Sequence, residues 1–108
     1  MGPPKTEPEV DEATLLQALK ALSDPTRFRM IQEISKAGEL NCGEVAERFD
    51  VSQPTVSHHL KVLMQAGLLV QRTEGKHHYT SVNQELLAEL MAELPKRLSG
   101  PIPKRKRA

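Results

Sequence analysis

Residues 51–69, VSQPTVSHHLKVLMQAGLL, contain the pattern that determines how the rest of the chain is interpreted. Ser52 is a good N-terminal helix cap, and Pro54 is tolerated in a first helical turn because its missing N–H has no helical partner there. Gly67 can adopt a positive φ and so end the helix. Between these signals, apolar residues recur at helical spacing, at Val56, Leu60 and Leu63. We therefore predict an amphipathic helix whose apolar face packs inward.

The polar side chains of this helix fall on the face opposite the apolar stripe. They can donate or accept hydrogen bonds without much bulk, which suits the base edges in a DNA major groove. Backbone N–H groups at the start of the helix also suit a phosphate. We therefore predict that this helix reads DNA and that its contacts come from Ser52, Gln53, Thr55, Ser57, His58 and Lys61.

The adjacent histidines, His58 and His59, could instead be metal ligands or catalytic groups. Neighbouring helical residues point about 100° apart, so the two rings are poorly placed to hold one ion. His59 lies nearer the apolar seam, and we interpret it as a partly buried structural residue. The chain also shows no Ser-His-Asp order, no glycine-rich phosphate loop and no acid pair in an evident cleft. We expect neither an enzyme nor a cofactor.

The segment before this helix predicts three further helices. The first starts at Asp11, the second follows the cap and first-turn proline at Asp24 and Pro25 and stops at Gly38, and a short third helix covers residues 42–49. The second helix is expected to present one apolar face, made of Phe28, Ile31 and Ile34 or Ala37.

The segment after the helix predicts a β-hairpin and one last helix. Residues 68–73 and 78–82 alternate as strands around a turn at 74–76, and Asn83 can cap a leucine-rich helix that stops before Pro95. The order is four helices, two strands and a helix, with a polar turn between the third and fourth helices. That order predicts a mainly α fold with a β wing, a winged helix-turn-helix.

Basic and imidazole side chains gather around the hairpin turn. The tip of a wing can reach a neighbouring phosphate or minor groove, which favours DNA contacts here, although a plain solvated turn remains an alternative. The predicted wing contacts are Arg72, Lys76 and His77.

The ends of the chain differ from the middle in composition and charge. Residues 1–10 hold three prolines and are expected to be a disordered arm, residues 11–95 form the domain, and residues 96–108 form a basic flexible tail. The net charge of +1 combines −5 over residues 1–95 with +6 over the tail. We find no secretory signal or membrane span, and Cys42 is the single cysteine, so a cytoplasmic protein without a membrane partner is expected.

Two stretches resemble the ArsR/SmtB family of repressors, and within it the SdpR-like members. They are LKALSDPTRFRMIQEI at residues 19–34 and VAERFDVSQPTVSHHLKVLMQAGLLVQRTEGKHHYTSVN at residues 45–83. The resemblance implies a homodimer with two recognition helices on a pseudo-palindromic operator in double-stranded DNA. It also implies repression of transcription, often of the repressor's own operon, relieved by an effector. The dimer is expected to use the first and last helices, through Leu15, Leu19, Leu22, Leu87, Leu90, Met91 and Leu94.

The sequence departs from the metal-sensing members of that family. Asn41 and Gly43 stand where the family's thiolate ligands would be, and the last helix offers only a stripe of glutamates, which we interpret as a solvated face: Glu85, Glu89 and Glu93. Soft metals prefer thiolate or imidazole sets, so we predict no metal site and leave the effector unknown. Two alternatives stay open: an atypical thiol or metal sensor using Cys42 or the wing histidines, and a protein-interaction module with a basic tail.

Overall fold

The structure, a computed structural model, describes residues 10–104 and has the predicted element order with one short strand added. The predicted winged helix-turn-helix fold is confirmed. Within this part of the chain, no helix has both the length and the apolar character needed to span a membrane. The elements are α1 (Glu12–Leu22), α2 (Pro25–Ala37), β1 (Leu40–Asn41), α3 (Cys42–Arg48), α4 (Gln53–Gln65), β2 (Leu69–Glu74), β3 (His77–Val82) and α5 (Gln84–Leu98).

Side-chain caps begin the helices. In each case a side-chain oxygen accepts the backbone N–H three residues further on, which pairs one of the donors that the first helical turn leaves open. The caps predicted at Asp24, Ser52 and Asn83 are present. Asp11 caps α1 in the same way. Asn41 caps α3 and is paired reciprocally with Glu44 in a capping box that we did not predict.

The sheet is antiparallel, with the strand order β1-β3-β2. The added strand β1 pairs Leu40 with Thr80, and the Thr80 hydroxyl donates to the Leu40 carbonyl at 3.0 Å. Two residues are too few for an alternating pattern, which is why the sequence does not predict this strand. At the tip of the β2–β3 hairpin, Glu74 faces His77 across a two-residue loop that begins at Gly75 with φ of +61°, as in a type II′ turn.

The core lies where the inner faces of the five helices meet the sheet. The predicted seam of α4 is buried, at Val56, Leu60 and Leu63. The predicted face of α2 is wrong in part, because Phe28 is 49% exposed whereas Met30 and Ile34 are fully buried. These two residues lie four apart on the same face of the helix, and α2 is rotated so that this face meets the core.

Two of the predicted dimer contacts are corrected by the packing of the single chain. Leu15 and Leu90 are 4% and 1% exposed and belong to the protomer's own core, so they leave almost no surface for a partner. Leu19, Leu22, Leu87 and Leu94 are partly buried against that core. By contrast, Met91 is 51% exposed. Since the apolar stripes of α1 and α5 are wide, one edge of each fills the protomer and the other edge faces outward.

The C-terminal helix extends beyond its predicted end. α5 continues through Pro95 to Leu98, because Arg97 anchors its last turn to Glu93 at 2.9 Å and to the carbonyl of Val10 at 2.9 Å. Val10 is buried, so the folded domain includes a residue that we assigned to the arm, and Glu93 is buried rather than solvated as predicted. Residues 99–104 have no helix or strand, and the rest of the predicted arm and tail lies outside the described residues.

Candidate DNA-binding surface

The helix-turn-helix is formed by α3 and α4, with residues 49–52 between them. Ser52 begins α4: its hydroxyl accepts the backbone N–H of Thr55 at 3.3 Å and lies 2.9 Å from the Thr55 hydroxyl. Pro54 occupies the first turn, as predicted. The start of α4 is therefore fixed by local hydrogen bonds, and both hydroxyls remain at the exposed surface.

The outer face of α4 brings the predicted contact residues together. They share one exposed side of a helix whose opposite side is held in the core by Val56, Leu60 and Leu63. A rigid helix with an exposed polar face is the arrangement that major-groove reading requires. The exposed residues are Ser52, Gln53, Thr55, Ser57, His58 and Lys61.

The two histidines of α4 lie in different surroundings. His58 is exposed, whereas His59 is half-buried, as predicted, with its Nδ1 3.3 Å from Nη1 of Arg27. A guanidinium only donates hydrogen bonds, so Nδ1 is the acceptor and the neutral ring carries its proton on Nε2. Burial lowers the pKa of His59 below its ordinary value of 6.5; the Asp24 carboxylate opposes this shift and the Arg27 charge adds to it.

On the side of α4 that faces the wing, a groove of about 210 Å³ separates the helix from the hairpin. Cys42 lies at the start of α3 with its Sγ 3.5 Å from Oγ of Ser57. His78 and Gln71 line the same groove from the hairpin. The lone thiol thus contacts a predicted base-reading residue, although it lies on a different helix.

Arg72, a predicted DNA contact in the wing, is engaged by carboxylates instead. Its Nη2 and Nε donate to the two oxygens of Glu39 at 2.8 and 3.2 Å, and Nη1 donates to Glu74 at 2.9 Å. Its guanidinium carbon also lies 4.7 Å from the ring centre of Tyr79. Glu39 and then Glu74 raise the pKa of Arg72, and Arg72 lowers the pKa of Glu39. The charge of Arg72 is thus balanced within the protein, and a DNA contact of this residue stays a prediction.

The tip of the wing keeps its other predicted contacts exposed. Lys76 follows Gly75 in the turn, and His77 begins β3 with its ring 6.1 Å from that of Tyr79. His78 is directed to the opposite face and contacts the hydroxyl of Thr73 at 3.2 Å. Because the two histidines point to opposite faces of one strand, they do not converge on a common ligand.

Metal-ligating side chains are dispersed over the surface. Between residues 10 and 104, no three side chains of the His, Cys, Asp and Glu types lie close enough together to hold one ion. The absence of a metal site that controls DNA binding stays a prediction.

Three charged residues near the surface were missed by sequence reasoning. Glu39 neutralises Arg72 from 33 positions away, which no local pattern signals. Lys20 and Arg27 line a notch of about 400 Å³ beside α4, on the side away from the wing, together with His58. Arg27 lies two residues after Pro25 and was visible in the sequence as a basic residue in the first turn of α2, but its proximity to His58 on α4 was not.

Comparisons with known proteins agree with this geometry. Residues 22–72 match the family model described as a helix-turn-helix domain. The transcriptional repressor SdpR of Bacillus subtilis is 41% identical over 70 residues, which cover 65% of this chain and 77% of that protein. The structure of an ArsR-like transcriptional regulator from Rhodococcus sp. RHA1 is similar with a TM-score of 0.71 and 27% identity, over 80% of this chain and 79% of that one.

A second similar structure has the same fold at lower identity. It is the homodimeric winged helix-turn-helix DNA-binding domain of a Mycobacterium bovis protein, with a TM-score of 0.65 and 20% identity, covering 95% of this chain and 99% of that one. The relatives are transcriptional regulators, which agrees with the prediction of a non-enzymatic protein.

Proposed function

Since the chain belongs to the ArsR family of winged helix-turn-helix transcriptional regulators, we propose that it is a homodimeric repressor of a pseudo-palindromic operator. The observation that carries this proposal is the exposed polar face of α4, held rigid by its buried opposite side. An operator bound in front of a gene blocks transcription by occupancy, so no catalytic group is required.

The proposed contact residues of α4 and the wing divide into two roles. Gln53, Ser57 and His58 present hydrogen-bonding groups suited to base edges, supported by Thr55 and Lys61 further round the exposed face. Contacts to phosphate position the protein and carry no sequence information. That role is assigned to the residues at the helix start and the wing tip, namely Ser52, Lys76 and His77.

A second copy of the chain completes the proposed DNA-binding unit, which is a homodimer. Leu16 on α1 and Met91 on α5 are 55% and 51% exposed, which leaves apolar surface on both terminal helices. The Mycobacterium bovis neighbour, which shares the fold, is a homodimer. Pairing through these helices would place two copies of α4 on successive major grooves about 34 Å apart.

The proposed repressor works without the soft-metal site of the metal sensors. Asn41 caps α3 through its side chain, and Gly43 has no side chain to donate, so neither can supply a thiolate. Cys42 alone offers one sulfur where a tetrahedral soft site needs four nitrogen or sulfur donors.

The experiment that tests this function is selection of bound duplexes from random DNA, followed by anisotropy titrations. We expect an inverted repeat with half-sites one helical turn apart. Ser57→Ala and His58→Ala should lose discrimination against single-base operator variants by about 1–3 kcal/mol per lost contact. Lys36→Gln, at the far end of α2, is the control and should keep full discrimination. Failure of the selection to enrich any sequence would overturn the proposal.

The wing is tested through salt dependence. Lys76→Gln should weaken binding to all duplexes and reduce the slope of log affinity against log salt by about 0.9 per lost phosphate contact. The double variant Arg72→Gln with Glu39→Gln removes the internal ion pair without changing the net charge, and it should leave that slope unchanged. A reduced slope in the double variant would show that Arg72 contacts DNA after all.

A further inference from the structure

We propose that Lys20 and Arg27, together with His58, form a notch that binds a backbone phosphate of the operator. The inference rests on the proposed function, because His58 belongs to the face of α4 that is assigned to DNA. It adds a contact on the side of the recognition helix opposite the wing.

The notch lies between the end of α1, the start of α2 and the outer edge of α4. Its volume is about 400 Å³, and its polar lining consists of Gln17, Lys20, Arg27, His58 and Gln65. No carboxylate is among the described residues that line it. A concave surface with two cations and an imidazole is suited to a phosphate group, which accepts several hydrogen bonds at once.

Arg27 is held ready for such a contact. Its Nε donates to the carbonyl of Ala21 at 2.8 Å, and its Nη1 donates to Nδ1 of His59 at 3.3 Å. Its backbone N–H is bound by the Asp24 cap at 3.0 Å. These contacts fix the plane of the guanidinium, so binding a phosphate would cost little further side-chain entropy.

The other wall of the notch is also tied to α4. The side-chain amide of Gln17 donates to the carbonyl of Gln65 at 3.3 Å, which joins α1 to the end of the recognition helix. Lys20 lies three residues further along α1, on the same side of that helix, and is exposed. The lysine is therefore carried at the edge of the DNA-reading face.

The charge distribution favours a phosphate contact at this notch over one at Arg72. The wing's Arg72 is neutralised by Glu39 and Glu74, so the wing contributes one uncompensated lysine, Lys76. Among residues 10–104, neither Lys20 nor Arg27 is in an ion pair with a carboxylate. Attraction to phosphate depends on cations that are free to replace counterions on the DNA.

The test compares Lys20→Gln with Lys36→Gln, two exposed lysines whose loss changes the net charge equally. Lys36 lies at the far end of α2 and pairs with Glu33. In anisotropy titrations between 50 and 200 mM salt, Lys20→Gln should lower the slope of log affinity against log salt by about 0.9 per notch. Because a dimer has two notches, its loss of affinity over this salt range should be about tenfold smaller than that of wild type. The loss should be equal for operator and unrelated DNA. Lys36→Gln should retain the wild-type slope.

A second measurement locates the contact. Operators carrying one neutral methylphosphonate at each backbone position in turn should include one position per half-site that weakens wild type but not Lys20→Gln. Equal slopes for the two lysine variants, or no such position, would overturn the phosphate notch while operator binding itself persists. Absence of operator binding by wild type would overturn the proposed function as well, so the two failures are distinguishable.

Discussion

The adjacent histidines on α4 have different surroundings because their side chains point in different directions. His58 is at the exposed surface, whereas His59 accepts a hydrogen bond from Arg27 at its Nδ1. Protonation of that nitrogen would remove the acceptor and place a positive charge 3.3 Å from a guanidinium. The contact between α2 and the recognition helix is therefore favourable only while His59 is neutral.

This contact predicts a pH dependence of stability. Because the pKa of folded His59 lies below 6.5, the unfolded chain binds a proton that the folded chain refuses when the pH falls below 6.5. The contribution of neutral His59 to the free energy of unfolding is complete above pH 6.5. It is lost as the pH falls toward the pKa of His59 in the folded protein. Urea unfolding between pH 7.5 and about 5, above the range where carboxylates titrate, measures it.

His59→Gln keeps an acceptor for Arg27 but does not titrate, so the fall in unfolding free energy over this interval should become smaller. His58→Gln, which changes the exposed neighbour, is the control and should keep the wild-type dependence. An unchanged dependence in His59→Gln would show that another group is responsible.

The C-terminal end of α4 is the joint that connects this helix with the wing and α5. The N–H groups of Gly67 and Leu68 donate to the carbonyls of Met64 and Leu63, each at 3.0 Å, which closes the helix in a Schellman motif. The Asn83 side chain then donates to the carbonyl of Gly67 at 3.0 Å, and its backbone N–H donates to Leu68 at 2.9 Å. The angle between α4 and the hairpin is set here.

Gly67→Ala is predicted to destabilise this joint. Gly67 has a φ of +82°, where an L-residue costs about 1–2 kcal/mol, and an added Cβ would lie 3.0 Å from Cδ2 of Leu86. We expect the unfolding free energy, measured in urea, to fall by at least that cost.

A double-mutant cycle with Leu86→Ala separates the two causes, because truncating Leu86 removes the atom that the new methyl group would meet. The double variant should be more stable than the sum of the single effects implies. Strict additivity would attribute the whole loss to backbone strain at Gly67.

The single folded chain leaves apolar side chains exposed on α1 and α5. Besides Leu16 and Met91, Leu98 at the end of α5 is exposed. Domains of this size bury a limited fraction of their surface, so association is an effective way to gain stability. A dimer also doubles every DNA contact, which matters for a chain with a net charge of only +1.

Sedimentation velocity at micromolar concentration should therefore give twice the chain mass of 12.0 kDa. Leu16→Asp and Met91→Asp should shift the protein toward monomer and weaken operator binding, because both side chains are exposed within one protomer and their loss does not open its core. Phe28→Asp changes an equally exposed apolar residue on α2 and should leave the dimer intact. A monomeric wild type would contradict the paired arrangement.

Every element except β1, together with the exposed polar face of α4, follows from local sequence patterns. Capping residues such as Asp24, Ser52 and Asn83, the apolar spacing on α4 and the glycine turn of the wing act over a few residues each. Their effects depend on local hydrogen bonds and on the period of the helix or strand, so the local sequence pattern is enough to predict these helices and strands. The exposed polar face of α4 and the half-buried His59 follow from the same periodicity.

Tertiary packing controls which charges and apolar side chains remain available for a partner. Arg72 meets Glu39 from 33 positions away, and Arg97 reaches the carbonyl of Val10 across 87 positions, extending α5 past its proline. Leu15 and Leu90 were absorbed by the protomer's own core, while Lys20 and Arg27 came together beside His58. These outcomes depend on how whole elements pack against each other, and the spacing of residues within one element does not specify its neighbour.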